Sequence, residues 1–91
     1  MKLLKDILYK VSVNAVYGAT NIEVSQIVFD SRKIQNGDVF VAQKGVSVDG
    51  HLYIEKAINL GATSIICEDL PKDRKENITY VQVVDSNTTL A

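Results

Sequence analysis

Apolar residues recur at helical spacing at the start of the chain and then fall into short runs. The first set lies on one helical face and predicts an amphipathic N-terminal helix: Leu3, Leu4, Ile7, Leu8 and Val11. The alternating stretch from Val11 to Val16 favours a strand, as does the stretch from Asn21 to Phe29. Asn36-Gly37, inside the polar segment that follows, is a strong turn signal.

The middle of the chain has the pattern strand, helix, strand. The apolar run Val39 to Ala42 predicts a strand, and Asp49 offers the N-cap of a helix that Gly61 ends. Thr63 to Cys67 and Ile78 to Val84 predict two further strands. Because a helical crossover makes its flanking strands parallel, we expect one small layered α/β domain over residues 1–91, with a mixed, partly parallel sheet.

Composition excludes several classes of function. The chain has 91 residues with ten basic against eleven acidic side chains, so it lacks the basic stripe that nucleic-acid binding requires. No apolar stretch is long enough to cross a membrane, so no membrane partner is expected. The single cysteine, Cys67, excludes an internal disulfide framework and a zinc cluster. Its apolar surroundings predict a buried, inert thiol and are consistent with a cytoplasmic protein.

Two polar segments follow predicted strands. Asp30-Ser31-Arg32 comes after Ile27 to Phe29, and the loop Gln43 to Gly50 comes after the strand that ends at Ala42. Ligands of open α/β sheets bind beyond the carboxyl ends of the strands, so both segments reach one edge if these strands are parallel neighbours. Their hydroxyl, glycine and cationic groups (Ser31, Arg32, Lys33, Lys44, Gly45 and Gly50) suit an anionic, hydroxyl-rich ligand. The simpler alternative is that Asp30 and Ser31 only cap a turn.

His51 is the only histidine, and it has no cysteine or second histidine with which to hold a metal. We therefore expect it to cap or orient a loop rather than to act as an acid or base. The sequence contains no glycine-rich phosphate-binding loop of the G-x-x-x-x-G-K-[ST] or G-x-G-x-x-G kind. No catalytic residue, metal or cofactor is expected in this chain.

The ordered string DSRKIQNGDVFVAQKGVSVDGHLYIEKAINLGA, from Asp30 to Ala62, resembles the N-terminal domain of the Mur ligases. The likeness is strongest to the MurE type, which adds the third amino acid, meso-diaminopimelate or L-lysine, to UDP-N-acetylmuramoyl-L-Ala-D-Glu in peptidoglycan synthesis. The resemblance implies a UDP-sugar-binding domain whose partners are UDP-N-acetylmuramoyl-dipeptide and two further domains of the same polypeptide. Those domains bind ATP with Mg²⁺ and the incoming amino acid. In relatives, the segment after the equivalent of Asp85-Ser86 is a helix that leads towards the ATP-binding loop.

The resemblance also implies which residues contact uridine. They are Phe29 and Ser31 at the first polar segment, and Val46, Ser47 and Val48 in the loop after Gly45. Some relatives have histidine and glutamine at the loop positions, so here backbone groups serve where this chain has valine. Two alternatives remain open: the N-terminal domain of the MurF type, in which we expect Asp-Thr-Arg rather than Asp-Ser-Arg, and a non-catalytic interaction domain of similar fold.

Overall fold

A computed structural model describes residues 2–10, 13–43 and 49–84. Its strands are β1 (Lys2–Leu3), β2 (Val13–Tyr17), β3 (Glu23–Val24), β4 (Ile27–Val28), β5 (Val39–Val41), β6 (Ser64–Cys67) and β7 (Thr79–Val83). Its α-helices are α1 (Leu4–Ile7) and α2 (Ile54–Asn59). Short 3₁₀ turns occupy Leu8–Lys10, Ser31–Lys33 and Gly50–Tyr53.

The main sheet has the order β2-β7-β6-β5-β4. Strands β4, β5, β6 and β7 are parallel to one another, and β2 pairs with β7 in the antiparallel sense. Ile27 lies beside Val39, which lies beside Ser64 on its other side. The structure therefore confirms the mixed, partly parallel sheet and the parallel pairing of the two strands that precede the polar segments.

Both faces of this sheet are covered, which explains why its inner strands are mainly apolar, with Ser64, Thr79 and Gln82 as the polar exceptions. Successive side chains of a strand point to opposite faces, so Phe40 and Ile65 enter one core and Val41 and Ile66 enter the other. Helix α2 covers the first core, and Leu4 of α1 is fully buried in the second. The result is a three-layer arrangement with a core on each side of the sheet.

The N-terminal segment differs from its prediction. The amphipathic helix expected from Leu3 to Val11 is an α-helix only over Leu4–Ile7, and Val11 lies outside the described residues. Residues Lys2 and Leu3 instead form β1, which pairs with β3, and the Leu4 N–H donates to the Ile22 carbonyl at 2.9 Å. This long-range pairing takes precedence over the local helical pattern, since a short helix contributes little stability alone.

The strand predicted from Asn21 to Phe29 is divided in two. Its first part is β3, which pairs with β1, and its second part is β4, which pairs with β5 in the main sheet. Between them the Ser25 N–H donates to the Gly37 carbonyl at 2.9 Å, outside either ladder. The alternation of apolar and polar residues stops at the consecutive polar pair Ser25-Gln26, which is where the two strands separate.

The strand–helix–strand unit agrees closely with its prediction. The Asp49 carboxylate accepts a hydrogen bond from the His51 N–H at 2.9 Å, although the first turn is 3₁₀ and α2 begins only at Ile54. After α2 the chain turns at Gly61, whose φ is 119°. The segment from Pro71 to Lys75 contains no helix or strand and forms part of the connection from β6 to β7. Asp85 and Ser86, whose equivalents precede a helix in relatives, lie outside the described residues.

Candidate functional site

The carboxyl ends of β4, β5 and β6 lie side by side at one edge of the sheet. We call this edge the polar rim and define it as Phe29–Arg32 after β4, Gln43 and Asp49–His51 after β5, and Glu68–Asp69 after β6. The strands β4 and β5 are parallel neighbours, so the two polar segments that follow them do reach the same edge of the sheet. The third segment was missed by sequence reasoning, although its place after a buried parallel strand was a signal that could have found it.

Asp30 caps the 3₁₀ turn at the start of the rim. Its Oδ1 accepts from the Arg32 N–H at 2.9 Å, which confirms the turn-cap interpretation for this residue. The Arg32 guanidinium donates back to both carboxylate oxygens, at 3.0 Å from Nε and 2.9 Å from Nη2. These hydrogen bonds from the Arg32 side chain and backbone lower the pKa of Asp30 to about 2. Asp30 therefore partly neutralises the positive charge of Arg32, which the sequence analysis had proposed for an anionic ligand.

Ser31 is buried, with 7% of its surface exposed, whereas the neighbouring Asp30 is only partly buried. It begins the 3₁₀ turn that contacts α2. Because Asp30 supplies the cap, the Ser31 hydroxyl is not needed for it, and this hydroxyl makes no hydrogen bond within the described part of the chain. The arrangement leaves the hydroxyl able to bond a ligand at the rim.

Phe29 directly follows β4, two residues before Ser31, and 45% of its surface is exposed. An exposed ring at the carboxyl edge of a sheet provides a flat apolar surface for a planar ligand. The other predicted contacts, Val46, Ser47 and Val48, lie outside the described residues, as do Lys44 and Gly45.

The two described ends of the loop after β5 are joined at its base. The Gly50 N–H donates to the Gln43 carbonyl at 2.7 Å. A Cβ added at Gly50 would lie 2.8 Å from both the backbone nitrogen and the carbonyl oxygen of Gln43. Only glycine permits this close approach, so the residue is required here for space rather than for a turn.

His51 has the orienting role that its isolation in the sequence predicted. Its Nδ1 lies 2.7 Å from Asp49 Oδ1, and its Nε2 accepts hydrogen bonds from the backbone N–H groups of Glu68 at 3.0 Å and Asp69 at 3.1 Å. Only 11% of the side chain is exposed. Both ring nitrogens are thus engaged in holding two loops of the rim, which is an arrangement for orientation rather than for proton transfer.

Cys67 lies just before the third segment of the rim and does not contribute a reactive group. It is fully buried, and burial raises the pKa of its thiol to about 12. The predicted burial of the thiol is therefore confirmed, and its raised pKa supports the expected inertness, because the thiolate is the nucleophilic form. Residues 2–10, 13–43 and 49–84 contain no group of three or more His, Cys, Asp and Glu side chains able to hold a metal ion. Among the helices described, none has the length and apolar character that crossing a membrane requires.

Comparison with known proteins decides the family. Residues 23–90 match the family model described as Mur ligase family, catalytic domain. The chain belongs to the Mur ligase family. It is 46% identical over 88 residues to the UDP-N-acetylmuramoyl-L-alanyl-D-glutamate--2,6-diaminopimelate ligase of Cytophaga hutchinsonii, covering 96% of this chain and 18% of that protein. The ligase of the same name from Phocaeicola vulgatus is 48% identical over 86 residues, covering 94% of this chain and 18% of that protein.

Solved Mur ligase structures share the fold. The UDP-N-acetylmuramoylalanyl-D-glutamyl-2,6-diaminopimelate--D-alanyl-D-alanyl ligase of Acinetobacter baumannii superposes with a TM-score of 0.82 at 21% identity, over 96% of this chain and 19% of that one. The MurF ligase of Thermotoga maritima in complex with ADP superposes with a TM-score of 0.60 at 35% identity. This match covers 69% of this chain and 14% of that one. This Mur ligase chain spans about 18% of the length of the curated relatives given above. The relatives from Cytophaga hutchinsonii and Phocaeicola vulgatus, at 46% and 48% identity, both carry the name of the diaminopimelate ligase. The MurF alternative is therefore not favoured.

Proposed function

We propose that this chain is the UDP-sugar-binding N-terminal domain of a MurE-type ligase. The whole enzyme would add 2,6-diaminopimelate to UDP-N-acetylmuramoyl-L-Ala-D-Glu in the cytoplasm. The observation that carries the proposal is the 46% identity to a ligase of that name over 96% of this chain. The same comparison supports diaminopimelate rather than lysine as the amino acid added.

The polar rim is the site that we assign to the uridine end of the substrate. Phe29 offers an exposed ring, and Ser31 offers a hydroxyl that is not used in the turn. Val46, Ser47 and Val48 complete the proposed contacts, through backbone N–H and C=O groups at the two valines. Hydrogen bonds to the polar edges of a base with apolar contact to its face are the usual means of recognising a nucleotide.

ATP and Mg²⁺ belong to the rest of the proposed enzyme and not to this chain. The sequence holds no phosphate-binding loop, and the described residues hold no cluster of ligands suited to Mg²⁺. The residues that the structure describes therefore do not fit an ATP–Mg²⁺ site. We assign no catalytic residue here and propose that central and C-terminal domains of the same polypeptide supply the chemistry.

The experiment that tests this function uses the full-length ligase containing this chain. Phosphate release from ATP should require both UDP-N-acetylmuramoyl-L-Ala-D-Glu and diaminopimelate, and it should stay near the blank when lysine replaces diaminopimelate. Turnover with lysine would overturn the proposed amino acid. Turnover only with the UDP-tripeptide and D-Ala-D-Ala would instead assign the chain to the MurF type.

A further inference from the structure

The imidazole of His51 joins two loops of the polar rim that are far apart in sequence. On one side it contacts Asp49, at the end of the segment after β5. On the other it accepts from the N–H groups of Glu68 and Asp69, which begin the segment after β6. The uridine contacts proposed above make no use of this side chain.

The hydrogen bonds fix which nitrogen carries the proton. A backbone N–H only donates, so the Nε2 that receives two of them must present its lone pair. The proton of the neutral ring is then on Nδ1, from which it is donated to the Asp49 carboxylate at 2.7 Å. Neither Lys nor Arg can replace the imidazole, because both side chains only donate, and a side-chain carboxylate would face that of Asp49.

This bridge acts on the base of the loop after β5. Asp49 receives two hydrogen bonds from His51, one from the backbone N–H at 2.9 Å and one from the ring. The next residue, Gly50, is bonded to Gln43 at the other end of the same loop. The imidazole therefore fixes this base with respect to β6 as well as to β5.

We propose that His51 is a positioning residue for binding of the UDP-sugar, an inference that rests on the function proposed above. It holds the base of the loop after β5 against the start of the segment after β6, so that the rim is ordered before the ligand arrives. A preordered surface loses less conformational entropy on binding, and the gain is in affinity. The chemical step lies outside this chain, so the bridge acts on KM for the UDP-sugar and not on kcat.

Two substitutions of His51 each keep one side of the bridge and remove the other. In His51→Asn the amide nitrogen is placed to replace Nδ1 against Asp49, but the side chain is too short to reach Glu68 and Asp69. In His51→Gln the longer side chain brings an amide oxygen towards the position of Nε2, where it can accept from those two N–H groups. Leu52→Ala is the matched control, since Leu52 lies in the same 3₁₀ turn and is 77% exposed.

The kinetic test measures KM for UDP-N-acetylmuramoyl-L-Ala-D-Glu and kcat in the full-length ligase. We expect His51→Asn to raise KM about tenfold with kcat within about twofold, His51→Gln to recover part of the loss, and Leu52→Ala to match the wild type. A lowered melting temperature with an unchanged KM in both His51 variants would show a merely structural role and overturn the inference. A wild-type ligase that does not use this substrate would overturn the proposed function as well, so the two failures are distinguishable.

A second test determines which ring nitrogen of His51 carries the proton in the full-length ligase. The ring signals of His51 in a ¹⁵N NMR spectrum are identified as those that the His51→Asn variant lacks. We expect the neutral ring to carry its proton on Nδ1 and to leave Nε2 unprotonated, as the hydrogen bonds of the structure require. The opposite tautomer would mean that the hydrogen bonds to Glu68 and Asp69 are absent in solution, which would also overturn the proposal.

Discussion

The two ends of the parallel strands are built in different ways. At the amino ends, which we call the turn end, the chain reverses through Gly18, Gly37 and Gly61. These are the positive-φ residues of the described chain, with φ of 119°, 87° and 119°. Gly37 and Gly61 are also joined directly, because the N–H of the first donates to the carbonyl of the second at 3.0 Å.

At the polar rim, apart from the close backbone approach at Gly50, the loops are shaped by side chains instead. Asp30 and Asp49 each cap a 3₁₀ turn, and His51 bridges the segments after β5 and β6. A backbone conformation that only glycine adopts cannot be replaced cheaply, whereas a side-chain hydrogen bond contributes a modest amount to folding. We therefore expect substitutions at the turn end to affect mainly stability, and we propose the rim as the site of ligand recognition.

The largest effect is expected from Gly61→Ala at the turn end. A Cβ at this position would collide with the Asn36 side chain and would lie 2.8 Å from its Cα, at a φ that other residues rarely adopt. Strain and overpacking together should lower the free energy of unfolding by about 3 kcal/mol, measured by urea denaturation. Asn59→Ala, at an exposed position of α2, is the control and should change it by less than about 0.5 kcal/mol. Equal stabilities for the two variants would contradict the importance of the turn.

The next largest effect on stability is expected from substitutions of Asp38, which lies at the same end. It is 2% exposed, and its Oδ2 accepts from the Gln35 N–H at 2.8 Å. Asp38→Ala leaves that N–H without its partner and should destabilise the fold by about 1–3 kcal/mol, while Asp38→Asn restores part of the loss. Affinity for UDP-sugars in the folded fraction should be unchanged, and a selective loss of affinity would break the division between the two ends.

Ser31→Ala tests the rim with the opposite expectation. If the hydroxyl bonds the ligand, binding of the UDP-sugar should weaken by about 0.5–1.5 kcal/mol, whereas stability should change less because Asp30 is the cap. Ser25→Ala is the matched control, an exposed serine beside Gly37 at the turn end. Affinity and melting temperature should be measured on the same full-length variants. A drop in melting temperature with unchanged affinity would remove Ser31 from the site.

The smallest effect concerns the titration of Asp30. Hydrogen bonds from Arg32 lower its pKa from the ordinary 3.8 to about 2 in the folded chain. Because the folded pKa is the lower one, the contribution to stability is present above about pH 4 and is lost as the pH falls towards 2. Carbon NMR of the side-chain carboxyl should show this low midpoint, and Arg32→Ala should raise it. A wild-type midpoint near 3.8 would mean that the pair is absent in solution.

Features of the fold that local signals determine could be predicted from the sequence, whereas features that depend on contacts between distant residues could not. The unit from β5 to β6 was predictable because its signals are local: the Asp49 cap, the helical spacing and Gly61. The N-terminal helix was wrong in extent because β1 pairs with a strand about twenty residues away. The orienting role of His51 was predictable from its isolation, but its partners Glu68 and Asp69 were not, since only the folded sheet brings them together.

At the site, Phe29 and Ser31 came from the family resemblance together with the rule for carboxyl ends of parallel strands. The burial of Ser31 under α2 and the pairing of Arg32 with Asp30 depend on side-chain packing, which no sequence pattern encodes. Their roles in binding uridine remain predictions.

The most direct test of the division between the two ends is an NMR titration of the ¹⁵N-labelled chain with UDP-N-acetylmuramic acid and, separately, with ADP. The uridine compound should shift the amide signals of the rim, at Phe29 to Arg32 and Asp49 to His51. Signals of Gly18, Gly37 and Gly61 should stay in place, and ADP should have a much weaker effect. Equal shifts with ADP, or shifts centred on the turn end, would contradict the assignment of the rim to the uridine nucleotide.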